Sequence, residues 1–252
     1  TTQPQEVEGL ENITKIAASG YHSMALTNDG SVYTWGYNGN GQLGNGTTTS
    51  SSTPIKIKIK NIYQIDAGNQ TSAAVDGDGN TYIWGYNGYG QIGNGTKTNV
   101  YIPRKITGLE NIVEVAVENN TVVVLNAAGE VFASGYNGYG NLGNNTTQAS
   151  SQFVQVIEKI ETTTTGEGDT QETVETPIYL SNIKSIEAGS NYAIAVKEDG
   201  TAVAWGQNNY SQMATGDAAN KLLPVELTYG EGLEKIDEIL DVAAGEGTTT
   251  VV

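Results

Sequence analysis

Hydrophobic and polar positions along this chain alternate in short bursts and never sustain the 3.6-residue period of an amphipathic helix. In "SVYTWG" (Ser31–Gly36), Tyr33 and Trp35 fall on one face and Val32 and Thr34 on the other, the two-residue period of a strand. The bursts "TYIWG", "VFASG" and "AVAWG" repeat it. Each is preceded by a second apolar burst ("SMAL", "SAAV", "VVVL", "AIAV") and by a turn, "TNDGS", "DGDGN", "NAAGE" or "KEDGT", whose Gly30, Gly79, Gly129 or Gly200 suits a tight hairpin. The second burst is apolar on both sides, as "VVVL" shows, so these sheets are covered on both faces and must stack on one another.

The bursts recur with a fixed grammar. Trp35, Trp84, Ser134 and Trp205 fall in one column, 49, 50 and then 71 residues apart, the last interval carrying an insertion. Repeats lie near residues 14–62, 63–112, 113–183 and 184–240, with a partial strand at 1–13 and a partial repeat at 241–252. Periods of this size mean solenoids, propellers or arrays. In the first unit four strands are predicted near Lys15–Ala18, Ser23–Leu26, Val32–Trp35 and Ile55–Ile59. Four-stranded antiparallel sheets stacked with one twist close round an axis, so the fold class is all-β, a β-propeller forming one domain or a segment of one. Ala18, Ala67, Ala188 and Ala244 suit the crowded hub. Each Trp is expected to wedge between adjacent blades, and the Gly-rich run after it to leave the blade through turns cheap only for Gly and Asn.

The sequence "YHSMALTNDGSVYTWGYNGNGQLG" runs from a His-Ser-x-Ala-Leu strand through an Asp-Gly hairpin to Trp-Gly-x-Asn-x-x-Gly-Gln-Leu-Gly. This order resembles the repeat of the regulator of chromosome condensation family, and the resemblance implies a propeller, usually of seven blades. It covers essentially the whole chain. Two departures stand out: Ser134 replaces the Trp of the third unit, and "GQNNYSQMATG" in the fourth loses most of the Gly-rich run. "TTQPQEVEGLENIT" at the start parallels "VYIPRKITGLENIV" at Val100–Val113. The pieces fit either a five-bladed ring whose last blade joins both termini or an arc of a larger ring, which the size of the family favours. An incomplete ring exposes a strand edge and an apolar face, and self-association through those ends is expected of it.

Composition narrows the partners. With a net charge of −16 the chain repels polyphosphate, which argues against nucleic acid. No run of 18 apolar residues and no basic-then-apolar leader is present, so neither membrane insertion nor a retained export signal is expected. The absence of cysteine excludes disulfides and thiolate metal sites. A chain rich in Thr, Asn, Ser and Tyr and poor in Lys points to a secreted or cell-surface protein, with the cytoplasm as the alternative.

The candidate chemistry is one of binding. His22 is the only histidine, which rules out a multi-histidine metal site, and its place in the repeat makes it structural. "DGDGN" (Asp76–Asn80) spaces oxygen ligands as a calcium loop does, yet Asn87 stands where the closing glutamate belongs, so no metal or other cofactor is expected. The carboxylates read as solvated loop and strand-end charges, and no two of them are paired by the sequence. The loops after the Trp column surround one mouth of a propeller. They carry Tyr37, Tyr86, Tyr89, Tyr136, Tyr139 and Tyr210 beside Asn38, Asn87, Asn137 and Asn208. Tyr gives contact area at low entropic cost. The polar insertion at 161–176 is expected to be a mobile loop or surface hairpin. These features make a non-catalytic scaffold that binds another protein through its rim loops, as a module of a larger secreted or surface protein. The alternatives are a carbohydrate-binding module and, from the resemblance, a guanine-nucleotide exchange factor.

Overall fold

The hairpin glycines act as the sequence requires: Gly30, Gly79, Gly129 and Gly200 hold φ of 76°, 76°, 77° and 82°, a region that costs other residues free energy. The computed structural model describes residues 3–165, 172–229, 234–236 and 238–252. Its first blade comprises β1 (Ile13–Ser19), β2 (His22–Thr27), β3 (Val32–Gly36) and β4 (Ser51–Lys56) in sequential antiparallel order. The second is β5 (Ile62–Ala67), β6 (Thr71–Asp76), β7 (Thr81–Gly85) and β8 (Val100–Lys105), and the third β9 (Ile112–Glu118), β10 (Thr121–Asn126), β11 (Val131–Gly135) and β12 (Ser150–Gln155). A two-stranded hairpin, β13 (Ile157–Thr165) and β14 (Glu172–Tyr179), precedes the fourth blade, β15 (Ile183–Gly189), β16 (Tyr192–Lys197), β17 (Ala202–Gly206) and β18 (Lys221–Glu226). Short pairs β19 (Thr228–Tyr229) with β20 (Glu234–Lys235) and β21 (Val242–Ala244) with β22 (Thr249–Val251) follow.

The outermost strand lies earlier than its apolar residues suggest. Gly36 pairs with Ser51, so β4 opens on Ser51, Ser52 and Thr53, while Ile57, just past its end, donates its N–H to the Val32 carbonyl at 3.0 Å and is buried in the core. Pro54, Pro103 and Pro224 sit in β4, β8 and β18, where an edge strand tolerates a missing N–H. The insertion forms the β13–β14 hairpin; its residues 166–171 lie outside the described residues.

Innermost strands β1, β5, β9, β15 and β21 pack on one another in turn, and an apolar cluster fills each gap between successive sheets. Trp84 from the second blade is fully buried among Met24, Leu26 and Val32 of the first, and its Nε1 donates to the Gln42 carbonyl at 2.8 Å. Trp205 does the same toward the third blade, donating to the Asn141 carbonyl at 2.9 Å. The Gly-rich run is what lets the indole in: a Cβ on Gly44 would sit 2.7 Å from Trp84 Nε1, and one on Gly143 3.0 Å from that of Trp205. In the third blade the two functions of the indole are divided. Ser134 Oγ donates to the Gln91 carbonyl at 2.8 Å, and Phe153 of β12 lies against Gly93 in place of the ring.

Trp35 departs from the expected wedge. It is only half-buried, because among the described residues no blade lies in front of the first. The same face leaves Ile16 78% exposed, where the equivalent Ile65 is 6%, and Val7 41%, where Ile106 is 2%. The closure in which both termini share a fifth blade is not formed: β21 and β22 make a two-stranded sheet that residues 3–12 do not join. Denaturant unfolding should therefore separate the tryptophans. Trp84→Ala is expected to cost about 3–5 kcal/mol, the scale for a buried aromatic side chain, and Trp35→Ala less than about half of that.

Candidate functional site

The loops after the Trp column are organised by their asparagines. Asn38 Oδ1 accepts from the Leu43 N–H at 2.9 Å, and its Nδ2 donates to the Thr47 and Thr49 carbonyls, both at 3.0 Å. Asn87 and Asn137 repeat this pattern on Ile92, Thr96 and Thr98 and on Leu142, Thr146 and Gln148. Asn208 keeps it with Met213 and Asp217 although its loop has lost glycines; there Ser211 and Ala214 take positive φ, 56° and 50°, at the strain that residues with a Cβ carry. All four asparagines are fully buried, which corrects their placement on a binding rim. Their amides are turned inward and hold the loops.

The rim tyrosines are half-buried or exposed. Tyr86, Tyr89, Tyr136 and Tyr139 form one edge-to-face series across the second and third blades, with ring centroids 6.3, 5.2 and 5.9 Å apart in order. Such pairs contribute about 0.5–1.5 kcal/mol beyond burial, so they fix one another's orientation. Two rings are also held from below: a Cβ on Gly88 would lie 2.5 Å from Tyr86 Cζ, and one on Gly138 2.5 Å from Tyr136 Cζ. Tyr89 remains 39% exposed. The series ends where repeats differ. Asn40 stands where Tyr89 does in the second unit and bonds to Gln70 and Asn99, and Gln207 replaces the next tyrosine. Tyr37 pairs with Tyr21 instead, centroids 6.0 Å apart, and Tyr210, 71% exposed, lies beside Gly247.

The remaining candidates are structural. His22 is buried between blades, its Nε2 2.7 Å from Ser72 Oγ. Since Ser72 donates to the Gln42 carbonyl at 2.8 Å, the imidazole donates to the serine, and burial lowers its pKa to about 4. Asp76 is consumed by its own hairpin: Oδ1 accepts the Asp78 and Asn80 N–H groups at 3.0 and 2.9 Å, and Oδ2 accepts from Asn80 Nδ2 and the Tyr82 hydroxyl. That is a turn cap rather than an ion site.

Carboxylates expected in solvent converge instead on the axis. Inner strands do not pair with each other, and side chains bind the exposed backbone. Gln64 spans the Val115 N–H and carbonyl, Asp66 Oδ2 accepts from the Val117 N–H at 2.6 Å, and Glu114 Oε2 from the Ile186 N–H at 2.9 Å. Burial raises Asp66 to about 6. Burial, with the charges of neighbouring acids adding, raises Glu118 and Glu187 to about 7. Sequence alone holds one signal of this: Gln64, Asp66, Glu114 and Glu187 fall between apolar residues of the inner strands, and Glu118 ends one of them.

A family model described as RCC1-like domain matches residues 1–252. The human E3 ubiquitin-protein ligase HERC2 is 44% identical over 54 residues, 21% of this chain and 1% of that protein. The ultraviolet-B receptor UVR8 of Arabidopsis thaliana is 39% identical over 57 residues, 22% of this chain and 13% of the receptor. Among solved structures, human WBSCR16 superposes with a TM-score of 0.77 at 23% identity, covering 99% of this chain and 59% of that one. Prp20p of Saccharomyces cerevisiae gives 0.78 at 20%, covering 99% and 58%. The chain thus spans little more than half of these structures and a small part of the curated relatives.

The axial acids set a pH dependence. Their folded pKa values lie above the value near 4 of an unfolded carboxyl, so their contribution is complete below about pH 4 and is lost as pH rises through about 7. His22 acts oppositely, losing stability as pH falls from about 6.5 toward 4. Thermal melts should show Glu187→Gln raising the midpoint at pH 8, with the gain shrinking toward pH 5; a gain equal at both values would contradict the assignment.

Proposed function

We propose, from the premise that this chain belongs to the family of RCC1-like domains, that it is a non-catalytic scaffold binding another protein through the tyrosine end of its blades. A propeller of this family supports protein binding, and Prp20p, which shares the fold, is described by its binding to Gsp1p and histones. The observation that carries the reading is the rigid series Tyr86, Tyr89, Tyr136 and Tyr139. Aromatic area presented without conformational freedom is what interface hot spots are made of. Among the Gly-rich loops, 36–50, 85–99, 135–149 and 206–220, Lys97 is the only base, so strongly hydrated side chains do not crowd the rings. The setting in a larger secreted or surface protein rests on composition alone, rich in Thr, Asn, Ser and Tyr and poor in Lys.

Sugar stacking needs a free ring face, and the edge-to-face angles of 73°, 76° and 71° turn successive faces toward neighbouring edges. Nucleotide exchange would need a small GTPase as partner and is a special case of protein binding. A photo-crosslinking amino acid at position 89 should trap a protein from a cell extract, whereas one at Lys184 should not. Glycan arrays and nucleotide release from small GTPases should stay at background. Identical adducts at both positions, or a glycan signal lost in Tyr136→Ala, would reject the reading.

A further inference from the structure

The outer edge of the second blade carries a charge opposite to that of the molecule, and we propose that it docks a short acidic segment of a partner protein, on a surface distinct from the tyrosine series. The chain holds 28 acids and 12 bases. Half of those bases, Lys56, Lys58, Lys60, Lys97, Arg104 and Lys105, nevertheless lie from β4 to β8, and all of them are exposed. The acids of the same stretch are Asp66, Asp76 and Asp78. Asp66 lies at the hub and Asp76 is capped by its own hairpin, which leaves Asp78 to oppose the bases. Three lysines elsewhere are tied to acids of this chain: Lys159 to Glu161, Lys197 to Glu158 and Lys221 to Asp217, at 2.7, 2.6 and 2.7 Å. Among the described residues no such ion pair engages Lys58, Lys60, Lys97, Arg104 or Lys105, while Lys56 lies over the Tyr33 ring.

The repeat itself does not require these bases. Lys56, Lys105, Gln155 and Glu226 occupy one column, opposite Tyr33, Tyr82, Phe132 and Val203, so charge at this position of the outer edge runs from positive through neutral to negative along the blades. Lysine on an edge strand guards against pairing with other strands. That need does not account for the cluster, because β12 is equally an edge and has no base. The bases also flank a crevice. Lys58, Lys60, Asp78, Asn80 and Tyr82 line a space of about 660 Å³, and Lys105 stands across the strand pair from Tyr82. From there β8 leads back past Arg104 to Ile102, which is 59% exposed. An extended chain rises about 3.3 Å per residue, so a segment of about six residues matches the length of β8, its acids toward the crevice and an apolar side chain at Ile102. Repulsion from acids elsewhere on the molecule is screened beyond about 8 Å at physiological salt, so the local bases decide for a short segment. A polyanion long enough to overrun the patch meets the acidic remainder instead.

Fluorescence anisotropy tests this with a labelled peptide of about eight residues rich in Asp and Glu, beside the same peptide with Asn and Gln in their place. The acidic peptide should bind, more weakly as salt is raised, and the neutral one should not. Lys58→Glu and Lys105→Glu should each weaken binding about fivefold or more, while Lys184→Glu, the same change of charge in the fourth blade, and Tyr89→Ala should leave it within about twofold, all with wild-type melting curves. Equal loss in Lys184→Glu, or binding indifferent to Lys58→Glu and Lys105→Glu, overturns the proposal. A single-stranded oligonucleotide of the same charge that binds as tightly and fails on the same variants makes the patch a general polyanion site, which also overturns it. Concentration-dependent dimerisation in light scattering that Lys58→Glu abolishes would make the occupant a second copy of this chain and overturn it likewise.

Discussion

The arrangement of this molecule depends on one joint, made where an indole N–H from one blade meets a backbone carbonyl in the Gly-rich loop of the blade before it. A buried N–H must find an acceptor, and a buried indole needs space that only glycine leaves. Both needs are met by the same loop, which binds the position of the tryptophan to the spacing of glycines in the preceding unit. Where the third blade lacks the indole, Ser134 keeps the hydrogen bond and Phe153 restores the ring. The joint therefore has two separable parts, a polar link and an apolar filler.

Toward the axis a different solution operates. Inner strands of adjacent blades share no ladder, and backbone groups of Val115, Val117 and Ile186 are met instead by Gln64, Asp66 and Glu114. Such bonds satisfy backbone groups that would otherwise be costly to bury. They also gather acids whose burial, with mutual repulsion adding, raises their pKa values and ties the stability of the hub to pH.

At the rim, tyrosine and asparagine divide the labour. Asparagine turns inward and holds each loop closed, so that glycine can be lost from the fourth loop without losing its shape. Tyrosine stays outside on a loop thus fixed, and its rings align only where successive units both supply them, as the second and third do. Regularity of the repeat creates the surface, and exceptions at Asn40 and Gln207 bound it.

The sequence by itself determined the strands, the hairpins and the stacking of sheets, because alternation and turn glycines are local and the repeat states them four times. It even contained the compensation in the third unit: Phe153 stands in the column of Pro54, Pro103 and Pro224, in the same unit where Ser134 replaces a tryptophan. Only the tertiary structure decided which rim residues face outward, since Asn38 and Tyr37 are neighbours in the chain and differ by which of them finds backbone groups to bind. It alone brought Asp66, Glu118 and Glu187 together, residues far apart in sequence whose mutual repulsion exists only once three blades share an axis. And it alone left Trp35 half-covered, because a side chain's burial belongs to the sheet in front of it and not to the strand that carries it.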